Sequence, residues 1–158
     1  MSPGPFLNTG IFRTRITDND LVGPVEELGV WRYEAGKILR YVKSGALIPR
    51  NEAVRFDSSA TTAALIGNQV LQVSGRTNVM AGIADNATFA SLSFGWITVA
   101  GPATARVADA AIVGSQLGPS ANTGVLADSY IATPTILHFK AVALAAGLSS
   151  GSAIFLPF

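Results

Sequence analysis

The sequence predicts an all-β protein: a compact β-barrel or sandwich of about ten short strands with an extended N-terminal arm. Three observations lead there. Short runs of β-branched and aromatic residues recur along the chain, bounded by Gly, Pro, Asn and Ser turn signals. The segment 94–117, FGWITVAGPATARVADAAIVGSQL, reads as two strands about a Gly-Pro turn and has only Arg106 and Asp109 as ionisable groups. At 158 residues the chain is one domain's worth, long enough to bury roughly 70% of its unfolded surface.

The elements follow in order. Residues 1–28 form the extended arm, and 29–158 the β-rich core domain. Pro3, Gly4, Pro5, Gly10, Gly23 and Pro24 interrupt regular structure in the arm, and 17–20 (TDND) is turn-like. Phe6, Leu7, Ile11, Phe12, Ile16, Leu21 and Val22 are too apolar for a free tail, so the arm is expected to lie on something. We expect a partner rather than its own domain, with 11–16 as a short added strand carrying Arg13 and Arg15 on one side. Residues 29–33 (GVWRY) and 37–43 (KILRYVK) read as a hairpin turning at Glu34, Ala35 and Gly36. Residues 46–48 stop at Pro49, and 52–56 alternate as a half-buried strand. Asp57, Ser58 and Ser59 have the composition to cap a short helix over 60–66, against the β-branched content there. Strands are expected at 68–74, 79–84, 95–99, 103–107, 125–127, 135–144 and 152–158, with a turn at Ala100, Gly101 and Pro102. Segments 80–84 with 94–99 faintly echo 140–144 with 153–158, as a duplicated hairpin would.

Composition narrows the function. Hydrophobic residues make up 49% and charged residues 13%, against about 25% charged in an average soluble domain. So few charges suggest that part of the surface is covered by copies of the chain or by a partner. Fifteen of the 21 charged residues fall within 1–57, which points to one charged surface and one nearly neutral one. The net charge of +1 argues against a broad nucleic-acid footprint. The longest apolar run, 141–148, has eight residues where a membrane span needs about 20. The opening residues lack the pattern of a secretory signal.

Catalytic patterns were sought and fail on their own chemistry. Residues 147–151 (GLSSG) spell a nucleophile elbow, but no acid or histidine follows within the chain, and His138 precedes it. With no cysteine and one histidine, a metal site lacks convergent ligands. Adjacent Glu26 and Glu27 point to opposite faces of an extended segment and cannot act as an acid–base pair. Residues 124–130 faintly resemble the uracil motif of trimeric deoxyuridine triphosphatases, without that family's phosphate-binding serine motif or glycine-rich tail. No catalytic residue, metal ligand or cofactor is therefore expected. Trp31 and Trp96 would be the platform of a carbohydrate-binding module, and read better as core or interface residues.

Two stretches carry a resemblance: 36–57, GKILRYVKSGALIPRNEAVRFD, and 81–117, AGIADNATFASLSFGWITVAGPATARVADAAIVGSQL. They are similar to capsid decoration (cement) proteins of tailed bacteriophages, whose pattern also closes on an "A-V-A-L" strand and a last strand, as 141–158 does. Together they span about half the chain; the arm lies outside the pattern. The resemblance implies a non-enzymatic protein, made in the host cytoplasm and bound to the outside of the virion head. There it would hold major capsid protein subunits together, commonly as a homotrimer. The other reading is another virion structural component, a tail or head-fibre base protein. Toward the shell, the arm's composition nominates Phe6, Phe12, Arg13 and Arg15; neither nucleic acid nor membrane is an expected partner.

Overall fold

A computed structural model describes residues 12–108, 111–128, 141–144 and 151–157. Phe6, His138, most of 147–151 and the first part of the expected strand 135–144 lie outside the described residues. Among those described there is no helix and the fold is all-β. The strands are β1 (Asn19–Asp20), β2 (Trp31–Glu34), β3 (Lys37–Ser44), β4 (Glu52–Phe56), β5 (Gln69–Gln72), β6 (Met80–Ala84) and β7 (Phe94–Ala105). They continue with β8 (Gln116–Pro119), β9 (Leu126–Asp128), β10 (Ala141–Ala143) and β11 (Ser152–Leu156).

The hairpin β2–β3 forms as expected. Ala35 (φ 52°) and Gly36 (φ 75°) both take left-handed backbone, the requirement of the tight two-residue turn whose twist matches that of the strands. β3 then enters a small closed barrel in the order β3-β5-β4-β6-β7, completed where β7 pairs back to β3 from Lys43–Phe94 to Ile38–Ala100. Irregularities in register at Ile38/Leu39 and at Val54/Arg55 supply the local bend that so few strands need to close. Val42, Ile48, Val54, Val70, Ala84, Phe89 and Ile97 fill the barrel.

The expected turn at Ala100, Gly101 and Pro102 does not occur. The chain continues as one strand of twelve residues, bent at Gly101 (φ 94°). Before the bend β7 pairs with β3; beyond it, residues 101–105 pair with β11. A Cβ on Gly101 would run into the carbonyl oxygen of Gly36, so the bend and the β2–β3 turn are packed backbone on backbone. Pro102, which has no N–H to give a ladder, sits exposed opposite Phe155.

The second layer runs β7-β11-β10-β8-β9 and curls back on itself. The chain leaving β7 meets β9 at the Val107–Leu126 bridge, with Leu126 N–H donating to Arg106 O at 2.9 Å and Ala108 N–H to Leu126 O at 2.8 Å. Its core holds Ala53, Ala103, Ala105, Ala111, Ala141 and Ala143 among Leu117, Leu126, Ile154 and Leu156. Alanine at these positions lets the strands pack closely and leaves little room for a ligand. The echo noted in the sequence corresponds to two antiparallel pairs, β6–β7 and β10–β11.

Other expectations are corrected. Residues 62–69 form successive turns, with Leu65 N–H to Thr62 O at 2.8 Å and Gln69 N–H to Leu65 O at 2.9 Å, in place of a helix over 60–66. Asp57 there accepts from Ser59 N–H at 2.9 Å and starts a turn. Gln116–Pro119, where the expected strands leave a gap, forms β8 despite Gly118 and Pro119, held on both sides by β9 and β10. In β4 the alternation breaks: Glu52 is 1% exposed, and Ala53 and Val54 are buried beside it.

Gly101→Ala is expected to destabilise the protein by roughly 2–4 kcal/mol, combining left-handed strain with a backbone clash. Gly75→Ala, where the added Cβ meets nothing within 4 Å, is expected to stay within about 0.5 kcal/mol. Urea unfolding midpoints measure both; equal midpoints would refute the role given to Gly101.

Candidate functional site

Of the nominated arm residues, Phe12 meets the barrel on the outer face of β3 and β7, where Leu39, Tyr41, Phe94 and Trp96 form an aromatic-rich cluster. The alternation of β3 puts Leu39 and Tyr41 on this face and Val42 in the barrel. Phe12, Ile16, Leu28 and Val30 pack over the cluster. The Phe12 ring stands edge-on to Trp96 with centroids 5.3 Å apart, and Tyr41 lies 5.2 Å from Trp96 on its other contact. The Arg32 guanidinium, on β2, lies 4.8 Å from the Phe12 centroid and 5.6 Å from that of Trp96. Arg32 also pairs with Glu34 and donates to Thr14 O at 2.8 Å.

Polar latches hold the strap. Buried Trp96 donates from Nε1 to Thr14 Oγ1 at 3.0 Å. Glu26 Oε1 accepts from the N–H groups of Arg13 (2.6 Å) and Thr14 (2.9 Å) and from the Thr14 hydroxyl (3.1 Å). The Tyr41 hydroxyl donates to Asp20 Oδ2 at 2.5 Å and accepts from Val25 N–H at 3.3 Å. Burial first, and then the bond to Asp20, push the Tyr41 phenol well above its ordinary pKa. Within the described part, β1 adds the arm to the barrel through Asn19–Gly95 and Asp20–Phe94.

The four nominated residues therefore divide. Phe12 is half-buried against the protein's own Trp96, where Trp96 and Arg32 offer it an apolar edge and a cation. Residues 12–18 carry no strand; Asp18 instead accepts from Arg15 N–H at 2.7 Å and closes a turn. The side chains of Arg13 and Arg15 remain exposed. Phe6 lies outside the described residues. Thr14, Asp20, Glu26 and Tyr41, which do the latching, carried no individual signal in the sequence, since their partners are 12 to 82 residues away.

The interior carboxylates have structural partners. Glu52 pairs with Arg106 and accepts from Gln72. Asp85 accepts from Lys37 Nζ and from Thr98 Oγ1, both at 2.6 Å. Asp57 accepts from Ser59 and, at 2.8 Å, from Gln69, and the Ser59 hydroxyl foremost lowers its pKa. No group of three or more potential metal ligands gathers among the described residues. Trp96 is too buried to serve as a sugar platform; Trp31, half-buried, is stacked under Arg40 at 5.2 Å.

Tyr41→Phe is expected to cost roughly 1–2 kcal/mol, by leaving Asp20 and Val25 N–H without their partner. The raised phenol pKa sets a sign. Its contribution is intact below pH about 10, where free tyrosine keeps its proton, and is lost at higher pH because only the unfolded chain can ionise there. Thermal unfolding followed on both sides of pH about 10 should show a fall in the wild type that Tyr41→Phe reduces; parallel falls would refute it. Comparison with known proteins supplies no family: no family model matches the chain, and neither a curated protein nor a solved structure matches it.

Proposed function

We propose that this chain is a non-enzymatic capsid decoration protein of a tailed phage, binding the outer surface of the head and stabilising contacts between major capsid subunits. The observation that carries this reading is where the resembling residues lie. Residues 36–57 supply β3 and β4, and 81–117 supply most of β6 and all of β7; these four are barrel strands that pair directly with one another. The likeness thus falls on one connected body rather than on scattered loops. Its chemistry is that of contact: interior carboxylates are tied to cations, amides and hydroxyls, and small residues allow close sheet packing. Exposed Arg13 and Arg15, on a strap fastened to the barrel, are held ready for acidic groups on a shell. Weak contacts repeated around a lattice sum through avidity.

The test is binding of the purified protein to expanded empty heads that lack it. Occupancy is expected for the wild type, with at least a tenfold weaker affinity for Arg13→Glu/Arg15→Glu and a steeper salt dependence in the wild type. Absence of wild-type binding would overturn the reading. Equal binding by the charge-reversed variant would remove the two arginines from the contact.

A further inference from the structure

The end of the barrel where β3 finishes and β7 begins is closed by buried Ile48 and Phe89 and carries apolar residues on its surface. Val22 is fully exposed, and Leu21, Leu47 and Leu92 are 67%, 59% and 57% exposed. Backbone pairing brings them together. The β1–β7 register, with Asp20 opposite Phe94, carries Leu21 and Val22 toward Ser93 and Leu92. The Ile48–Phe89 bridge carries Leu47 toward Ala90. Ser44 joins the two loops, its N–H donating to Ser93 O at 2.8 Å and its hydroxyl to Ala90 O at 2.6 Å.

Leu92 adds an independent sign. It holds φ 63°, left-handed backbone that is unfavourable by about 1–2 kcal/mol for a residue with a branched apolar side chain and that Asn or Gly would adopt with less strain. The strained backbone thus holds a leucine that is more than half exposed to solvent.

We propose that this barrel end is the surface through which copies of the chain associate. Area and charge select that occupant. The four side chains expose on the order of 450 Å2, within the range of the largest apolar patch on a typical monomer and consistent with the centre of an interface. With the usual polar rim such a patch grows to roughly 700–800 Å2 per partner, the size of a standard stable interface. The three loops that form it, 21–25 (LVGPV), 45–49 (GALIP) and 88–93 (TFASLS), contain no charged residue. A neutral apolar face meets its own copy without like-charge repulsion, and it offers nothing to phosphate groups or to an anionic lipid surface.

Analytical ultracentrifugation of the full chain, up to about 100 μM where a micromolar interface is saturated, tests this. The wild type is expected at a whole multiple of 16.3 kDa, and Val22→Asp/Leu92→Asn at 16.3 kDa itself. Leu92→Asn alone should not lower the thermal midpoint, since Asn tolerates the left-handed backbone. Ile112→Asp/Val113→Asp, altering exposed residues in the second layer, should keep the wild-type mass. A monomeric wild type, a double variant that stays assembled, or dissociation by the second-layer control would each overturn the proposal. No heads enter the measurement, so its outcome is separate from that of head binding.

Discussion

Two sheets share the strand β7, and the left-handed backbone at Gly101 is what lets them. A strand can hydrogen-bond to only one neighbour along each edge, so a strand serving two curved sheets must turn between them. At Gly101 the turn occurs where the carbonyl of Gly36 leaves no space for a side chain. Barrel closure, placement of β11 and seating of the β2–β3 turn all meet at that residue. A larger residue would have to separate the two layers or open the hairpin.

Buried charge ties the same junction from the other side. Glu52 starts β4 inside the protein and reaches Arg106, just beyond β7, while Gln72 at the end of β5 donates to it. Gly124, left-handed at φ 72°, packs against that carboxylate where any Cβ would collide with it. Main-chain bonds from Gly124 N–H to Val73 O (2.9 Å) and from Ala53 N–H to Gly124 O (2.9 Å) run beside it. A pair with its carboxylate buried and its cation partly exposed contributes little net stability compared with apolar packing. Losing Arg106 would leave the buried Glu52 carboxylate without its cation, so the pair favours one relative arrangement of the layers.

The strap poses a different balance. Its apolar residues are divided between an inner set, Phe12, Ile16 and Leu28, that completes the cluster around Trp96, and an outer set, Leu21 and Val22, that faces solvent. Composition alone shows that such a segment is not a free tail, and no pattern within it tells which residues turn inward. The selection is made by Trp96, Tyr41 and Arg32, which lie on three different strands and present an indole N–H to the Thr14 hydroxyl and a phenol and a cation to the backbone of Val25 and Thr14.

Local chemistry determined much of this protein. Gly36 in the Glu34-Ala35-Gly36 turn makes the hairpin legible, and short runs rich in apolar residues between turn signals place β3, β4, β6 and β11. The strand-rich class follows from the same short-range preferences. What only the tertiary structure decided is where Gly-Pro bends a strand rather than reversing it, that Gln116–Pro119 is a strand at all, and that Phe12 seats on its own barrel. Each of these depends on partners distant in the chain: Gly36 for the bend, β9 and β10 for β8, and Trp96 for Phe12. Pairing and packing energies between such residues do not appear in any local window of sequence, and they outweigh the local preference of glycine and proline for a turn.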